Sequence, residues 1–486
     1  MAILIFSAIF PAKSQDEKAV LELNLEKAIQ IALSENPTVN VADLEVQKKK
    51  YARRSGQAAL FPQIEAVGQY TRTLKKQVMY MDGAFDMDAM LTPVLEPLIK
   101  GSEQTLATTV PGYVPGTLTE NIQNNTPPPV ESSENEGITV GRDNNWQGGF
   151  TLSWPVVVPT LWKSLEISSL DVEMAVESAR SSKINMVNSI RKAFYGALLA
   201  KDALKVLQES YDNAILNYKN ISQKFEQGVV SEFDLVRADV NAKNIKPNVI
   251  QAQNAYNLAT LSLKALMGVD MEQSISIEGS LLDYEEGLYD DIFRLDTSLT
   301  NNSDLKKFDI QKEQLQKSLE LYKSQYLPTI AITGNYMYMS MNNDFKFGDY
   351  KWNPYSTIGL SISIPIFDGL KKSNDIKQTK VSLEQMKWQR ADIVRNLKLA
   401  VNNSINNMAN YAGQVISTRD VVAQAQKGYE ISKKLYDNGM GTLLDLNTAQ
   451  LGLTQASLAY TQAIYSYLES KADLDKTLGI DITDNK

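Results

Sequence analysis

Two short motifs contain the side chains of this sequence that are best placed for chemistry. Ser231 precedes Asp234 by three residues, and Thr442 precedes Asp445 in the same way. A carboxylate can act as an acid or base, or can line a pore and favour cations. The same spacing is that of a helix capping box, in which the hydroxyl caps the helix and the acid bonds back to the backbone. We predict the capping role for both motifs and pore lining as an additional role for Asp234 and Asp445.

Composition excludes most catalytic and metal-binding functions. The 486 residues contain no His and no Cys, which removes imidazole and thiol chemistry and the usual ligands of zinc, copper and haem. The acids outside the two motifs are scattered along helix faces rather than gathered in a constellation. The net charge is −8, without a Lys/Arg cluster comparable to a nucleic-acid footprint. The sequence therefore predicts no catalytic site, no metal, no cofactor and no nucleic-acid partner.

The two motifs belong to turns that join helices. Gly228 and Gly439 each lie a few residues before the hydroxyl, where a helix C-terminus favours a residue with positive φ. We therefore predict two exposed turns, Phe225–Asp234 and Tyr436–Asp445, each between a helix that ends and one that begins. The second turn also contains Gly441.

Two long and four shorter helices are predicted to hold these turns. Apolar residues recur at steps of three and four along residues 161–225 and 371–436, without an interrupting proline. A run of roughly 65 residues gives a rod about 100 Å long, which is typical of coiled coils. The shorter helices are predicted at about 38–60, 232–268, 303–326 and 443–478, stacked end to end to match the long ones.

The chain is internally duplicated. The segment from Asn36 to Pro62 matches the segment from Asn302 to Pro328 without a gap, and the turn that ends at Leu235 matches the turn that ends at Leu446. Repeats of this kind indicate one supersecondary unit used twice. We predict a first repeat over residues 15–270 and a second over 271–486, after a secretory-signal remnant at residues 1–14.

Four segments alternate apolar and polar residues with a period of two, at about 63–73, 146–154, 329–338 and 355–364. This pattern is typical of a transmembrane β-barrel, although a soluble half-buried sheet shows it too. Four strands are too few to close, and an open sheet edge cannot be satisfied in lipid. We therefore predict that three copies pool twelve strands in the outer membrane, in contact with its lipids.

Prolines and a loop-like segment mark where the predicted strands begin and end. Four prolines are predicted to mark the helix–strand junctions, because proline neither extends a helix inward nor donates to a sheet; they are Pro62, Pro155, Pro328 and Pro365. Residues 74–145 are loop-like and rich in acids, with room for a short helix at about 85–98, and are placed on the cell exterior.

Taken in order, these features resemble the TolC-like outer-membrane efflux proteins. The resemblance covers nearly the whole chain and rests on the duplicated Gly-x-x-[Ser/Thr]-x-x-Asp turns and on five further segments, which are Leu23-Asn-Leu-Glu-Lys-Ala28, Ala32-Leu-Ser-Glu-Asn-Pro37, Leu60-Phe-Pro62, Leu327-Pro328 and Ser361-Ile-Ser-Ile-Pro-Ile-Phe-Asp-Gly369. It implies a mostly helical fold with a small β part. It also implies a homotrimer whose twelve-stranded barrel spans the outer membrane of a Gram-negative bacterium and whose helical tunnel crosses the periplasm.

The resemblance also implies partners and site residues. Such channels dock on a periplasmic adaptor (membrane fusion) protein, which couples them to an inner-membrane pump of the RND or ABC type. Asp445 matches an aspartate that lines the family's channel entrance, and Tyr436 matches a tyrosine in the links that hold the entrance closed. The sequence departs from the pattern at Gly441, where the best-known member has an arginine, and at Thr448, where it has a second aspartate.

Two functions remain open from the sequence alone. The first is the channel component of a tripartite efflux or type I secretion system, with the turns as entrance and adaptor contact. The second is a structural coiled-coil protein of the envelope without a pore, which explains the helices but gives the four strands no purpose.

Overall fold

The computed structural model describes residues 20–79, 87–125, 138–286, 288 and 297–480. The signal remnant predicted at residues 1–14 lies outside these ranges. The chain divides into two compact units. We call Met1–Leu60, Val158–Thr329 and Ser363–Lys486 the helical unit, and Phe61–Val157 with Ile330–Ile362 the strand unit.

The described chain is mostly helical with a small β part, as predicted. Its elements, in chain order, are β1 (Leu21–Leu23), α1 (Leu25–Glu35), α2 (Pro37–Ala58), β2 (Gln63–Arg72), β3 (Gln77–Met79), α3 (Met87–Thr109), α4 (Thr117–Asn125), β4 (Ile138–Val140), β5 (Asn144–Val157), α5 (Pro159–Glu226), α6 (Glu232–Met267), β6 (Ile275–Ile277), α7 (Ser303–Ser324), β7 (Thr329–Asn342), β8 (Asn353–Ser363), α8 (Lys371–Asp437) and α9 (Leu443–Leu478). In the described ranges, no helix is both long and apolar enough to span a bilayer.

The helical unit repeats one arrangement twice. The long helices α5 and α8 have 68 and 67 residues, so each is about 100 Å long. Near their N-terminal ends the helices pack in the order α2, α5, α7, α8, and farther along in the order α6, α5, α9, α8. Each helix of the first repeat thus has an equivalent in the second, and α2 and α8 are the edge helices of the first layer.

The shorter helices meet end to end, as predicted. The Asn36 side chain caps α2 and donates from Nδ2 to the Leu266 carbonyl oxygen at the end of α6, at 2.8 Å. Asn302 repeats this at the start of α7, with a bond of 2.7 Å to the Thr477 carbonyl oxygen of α9. Duplicated asparagines therefore join α6 to α2 and α9 to α7.

The main hydrophobic core surrounds these joints. Fully buried side chains of α5, α6, α8 and α9 form it, among them Phe194, Leu198, Met267, Met408 and Tyr467. The parallel pair β1–β6 packs on it through Leu23 and Ile277. The long helices are thus held at mid-length by apolar packing.

The strand unit contains one antiparallel sheet in the order β2, β5, β7, β8. All four predicted strands are present in it. Ala66, Phe150 and Tyr336 are register partners across three strands, so the apolar positions of neighbouring strands share one face. Gly149 allows the strands to approach, since a Cβ there would lie 2.1 Å from the Tyr336 carbonyl oxygen. Toward the end of β5 near Asn144, Tyr70 stacks on Trp146 with centroids 4.2 Å apart.

The segment between β2 and β5 is more ordered than predicted. Instead of a loop with one short helix, it contains the β3–β4 pair and the helices α3 and α4. Helix α3 continues past Leu98 to Thr109 and includes Pro93 and Pro97. The prolines in this segment favoured a loop in the sequence, but the run after Pro97 has no further proline before Pro111, and the helix tolerates Gly101.

Candidate functional site at the two helical turns

The first turn follows α5 and is closed by hydrogen bonds between backbone groups. Gly228 has φ +72°, and its N–H donates to the Phe225 carbonyl oxygen at 2.8 Å. The Val229 N–H donates to the Lys224 carbonyl oxygen at 2.9 Å. These two bonds satisfy carbonyl groups that the end of the helix would leave free.

The second turn repeats the first at the end of α8. Gly439 also has φ +72°, and its N–H donates to the Tyr436 carbonyl oxygen at 3.0 Å. The predicted positive φ is therefore confirmed at both glycines. Gly441 lies against the preceding helix, because a Cβ there would come within 3.1 Å of the Leu435 Cβ. A side chain at this position would crowd the end of α8.

Both hydroxyls cap the following helix. The backbone N–H of Asp445 donates to the Thr442 hydroxyl at 3.1 Å, and the Thr442 backbone N–H donates back to the Asp445 carboxylate at 3.3 Å. This is a complete capping box. The first turn has half of it: the Asp234 N–H donates to the Ser231 hydroxyl at 3.1 Å, but the Asp234 carboxylate accepts a bond from that hydroxyl and none from the Ser231 N–H. The prediction of two full boxes was therefore wrong at Ser231.

A small hydrophobic cluster joins the two turns within one chain. Ile221, Ala238 and Leu443 are buried at its centre, and Tyr436 packs against them from the end of α8. We call these four residues the turn cluster. Nearby, the Asn241 side chain donates to the Asn447 side chain at 3.3 Å, between α6 and α9. The structure thus brings the entrance turns of the two repeats together.

Tyr436 links this cluster to charged groups. Burial is the main cause that raises its pKa, and the negative charges of Asp234 and Asp437 raise that pKa further. The ammonium of Lys224 lies 5.2 Å from the centre of the Tyr436 ring, within the range of a cation–π contact. Asp234 is half-buried near this tyrosine, whereas Asp445 is exposed. Tyr436 is therefore a neutral contact between the two turns.

Three of the four prolines lie between elements. Pro62 precedes β2, Pro328 precedes β7, and Pro365 follows β8. Pro155 was expected to end its strand, but β5 continues to Val157 and the helix begins at Pro159. The register with β7 shifts between Pro155 and Val157, and this irregularity accommodates a residue that cannot donate to the ladder.

Two contributors to the site were not predicted from the sequence. Lys224 is one of many lysines on a solvated helix, so only its position above Tyr436 makes it distinctive. Leu443 is the other: it stands beside Leu444 in the sequence and has the same residue type, yet Leu443 is buried and Leu444 is exposed. A count of the helical period starting from the Thr442 cap would have separated the two.

The fold identifies the class of protein. Over 99% of this chain and 94% of the other, the structure is similar to the outer membrane channel CmeC of Campylobacter jejuni, with a TM-score of 0.67 and 16% identical residues. The chain therefore has the fold of outer-membrane channels, in which a helical tunnel continues into a barrel.

Sequence comparison identifies the family. The model of the outer membrane efflux protein family matches residues 130–269 and 295–480. The chain is 23% identical over 349 residues to nodulation protein T of Rhizobium leguminosarum bv. trifolii, covering 69% of this chain and 72% of that protein. It is 19% identical over 342 residues to the outer membrane protein TolC of Vibrio cholerae, covering 68% and 76%.

The chain belongs to the outer membrane efflux protein family. It is an outer-membrane channel for efflux or type I secretion, located in the outer membrane of a Gram-negative cell and extending into the periplasm. The recognition of a TolC-like protein from sequence is confirmed. The assignments of individual entrance residues stay predictions.

Proposed function

We propose that the chain is one protomer of a homotrimeric conduit with no catalytic activity. Each protomer contributes two repeats, 15–270 and 271–486, and three protomers close one sheet and one helical wall. The observation that carries this proposal is that the sheet of one chain ends on each side in a strand whose outer edge is unpaired. Among the described strands, β2 and β8 each have one neighbour, and both are exposed along their whole length.

The internal repeat indicates how the open edges would pair. Val67 is the register partner of Gly149 in the first repeat. Their equivalents, Thr333 and Gly359, meet in the second repeat, with Thr333 Oγ1 3.4 Å from the position of a Gly359 Cβ. Equivalent residues thus pair in the same way within each repeat. We therefore assume that equivalent residues also pair in the same way wherever one repeat meets the next. Thr151 of the first repeat pairs with Asn335 of the second. The repeat makes Ser361 the equivalent of Thr151 and Gln69 the equivalent of Asn335, so Ser361 would lie opposite Gln69 of the next protomer.

The edge helices support the same assembly. Helices α2 and α8 pack on one side against α5 and α7, and their other sides expose large apolar residues. Trp388 on α8 is 74% exposed, and Tyr51 on α2 is 65% exposed. Exposed aromatic residues of this size are typical of protein interfaces. Pairing α8 of one protomer with α2 of the next would cover them.

The turns are proposed as the channel entrance and the adaptor contact. Three protomers would place up to six carboxylates, from Asp234 and Asp445, around one aperture. Tyr436 would hold the turns of each protomer together, and Gly228, Gly439 and Gly441 would shape the tips that a periplasmic adaptor binds. An inner-membrane pump of the RND or ABC type would then supply the energy, because an open tube cannot drive export.

The experiment that tests this proposal is a current recording from purified protein in planar bilayers. The wild-type protein should form discrete channels that divalent cations block. Asp445→Asn should weaken that block and lower the preference for cations, because it removes up to three negative charges from the entrance. Asparagine keeps the size of the side chain and much of its capping ability, so the turn should stay folded.

The matched control is Asp392→Asn, which removes an exposed carboxylate from α8 far from both turns. Its currents should resemble those of the wild type. Currents from Asp445→Asn that are identical to the wild type would remove Asp445 from the pore lining. Failure of the wild-type protein to form channels would contradict the proposed conduit itself.

A further inference from the structure

An excess of positive charge collects on the two edge helices where the chain passes from helix to strand. Residues 46–62 include Lys48, Lys49, Lys50, Arg53 and Arg54 but no acid. In the part of the chain that the structure describes, six cations near these helix ends have no ion pair within 4.0 Å. We call these six the basic collar: Lys49, Lys50, Arg53, Arg54, Lys377 and Lys380.

Several cations of the inner helices α5 and α7 at the same level are paired with acids. Between α5 and α7, Lys163 contacts Glu166 at 2.8 Å and Glu320 at 2.9 Å, and Lys317 contacts Glu166 at 2.9 Å. Charges of opposite sign alternate in this network, so each cation has an acid beside it. The charges between α5 and α7 are therefore compensated within one chain, whereas those of the basic collar are not.

Assembly would concentrate the uncompensated charge. In the trimer proposed above, α8 of one protomer lies beside α2 of the next, so Lys377 and Lys380 would approach Arg53 and Arg54. Like charges that approach each other repel, and this repulsion opposes assembly unless anions lie between the cations. This inference rests on the proposed trimer. An anionic ligand at the seam, which is the contact between α8 of one protomer and α2 of the next, would relieve this repulsion.

The position of the basic collar indicates which anion is available. Arg54 lies four residues before the end of α2, and Lys380 lies nine residues after the start of α8, so both are within about 15 Å of the helix ends. The helical unit also exposes apolar side chains just beyond these ends. Ile366 is 95% exposed and Phe367 is 81% exposed. An apolar band next to a row of Lys and Arg is typical of a membrane–water interface.

We propose that the basic collar binds the phosphate groups of anionic phospholipids in the periplasmic leaflet of the outer membrane. The acyl chains would lie along the apolar band of Ile366 and Phe367, and the headgroups would lie between α8 and α2 at each seam. The lipid would then act as a structural bridge between protomers. The interface between protomers would include lipid as well as protein.

The test measures how lipids change the temperature at which purified trimers dissociate. Full-length protein in neutral detergent receives phosphatidylglycerol, phosphatidylcholine or inorganic phosphate, each at the same phosphate concentration. For the wild type, phosphatidylglycerol should raise the dissociation temperature by several degrees, because a ligand that binds only the assembled state stabilises it. Phosphatidylcholine and inorganic phosphate should leave that temperature nearly unchanged.

Two fourfold variants separate the basic collar from general charge. The collar variant carries Arg53→Gln, Arg54→Gln, Lys377→Gln and Lys380→Gln. The control variant carries Lys219→Gln, Lys246→Gln, Lys398→Gln and Lys427→Gln, which neutralise four exposed cations elsewhere on the helices. The collar variant should lose the shift caused by phosphatidylglycerol, and the control variant should keep it. If the collar variant yields too few trimers, the pair Arg54→Gln with Lys377→Gln replaces it.

The outcomes distinguish this inference from the assembly on which it rests. Equal shifts in the collar and control variants, or an equal shift with phosphatidylcholine, would overturn the lipid site. A shift that inorganic phosphate reproduces would show a site for free phosphate and would also overturn it. A wild-type protein that forms no trimers would contradict the proposed assembly, and the basic collar would then have no seam to occupy.

Discussion

Replacing Ile358 by arginine is expected to abolish assembly in the outer membrane. Ile358 lies in the middle of the edge strand β8, on the face that also includes Leu360 and Ile362, and is 82% exposed in the single chain. If this face contacts lipid, an arginine near the bilayer midplane costs about 2–4 kcal/mol per chain. Three chains multiply that cost, so heat-resistant trimers should disappear from outer-membrane fractions.

Thr357→Arg provides the matched control, because neighbouring residues of a strand point to opposite faces. It introduces the same charge at nearly the same depth, on the face that we assign to the water-filled interior. Its trimers should accumulate at levels near those of the wild type. Normal assembly of Ile358→Arg, or equal loss in both variants, would contradict the assignment of the two faces.

Gly479→Ala is expected to destabilise the helical unit strongly. Gly479 ends α9 with φ +71°, which alone costs an alanine about 1–2 kcal/mol. In addition, the new Cβ would lie 2.1 Å from the Asn301 carbonyl oxygen, so the backbone before α7 would have to move. That movement would disturb Arg180, which donates to the carbonyl oxygens of Asn301 and Gly479 at 2.7 and 3.1 Å. We expect a total loss above about 4 kcal/mol in the free energy of unfolding.

Gly439→Ala separates the two contributions. Gly439 has nearly the same φ, +72°, but a Cβ there would meet no atom within 4 Å. Its expected loss is therefore only about 1–2 kcal/mol. Denaturant unfolding of both variants measures the difference. Equal losses of unfolding free energy in the two variants would show that the contact between the end of α9 and the start of α7 does not stabilise the helical unit.

Periodicity made the fold largely predictable. The long helices begin and end within a few residues of the predicted bounds, because runs such as 161–225 keep one apolar stripe and contain no proline. The four strands were found because each alternates over its full length. The duplication helped most, since a weak strand such as Gln63–Arg72 gained support from its stronger equivalent at Thr329–Asn342.

The prediction was weaker where tertiary contacts override local signals. Pro155 predicts the end of a strand, but β5 continues past it because the register with β7 shifts at this point. Helix α3 is a different case: it contains Pro93 and Pro97, which local rules treat as helix breakers, and its residues from Leu91 onward are largely exposed, so packing does not account for it. At the site, the positive φ of the turn glycines followed from the pattern, whereas the contact of Tyr436 with Ile221 depends on how two distant turns pack.

The sequence alone does not show which charged side chains form ion pairs. The run Lys48–Arg54 is visible in the sequence, but a basic run alone does not reveal which cations have partners. Lys163 lies in an equally charged neighbourhood and is fully paired. The packing order α2, α5, α7, α8 separates the two cases, because it makes α2 and α8 the helices with an open side.

The central claim is that one chain leaves its sheet open and completes it with copies of itself. A pair of introduced cysteines tests this claim most directly, because the natural sequence has no cysteine. Ser361→Cys together with Gln69→Cys places one thiol on β8 and one on β2, at positions that the repeat makes partners between protomers. Directly opposed residues have Cβ atoms about 4.5–5.5 Å apart, within reach of a short thiol-specific cross-linker.

Cross-linking of this variant in intact outer membranes should convert single chains into covalent trimers on denaturing gels. Ser361→Cys with Tyr70→Cys is the control, because its second thiol points to the opposite face of β2 and should give few cross-links. Covalent trimers from the first pair and few from the second are the predicted result. Chains that remain single in both variants would contradict the account.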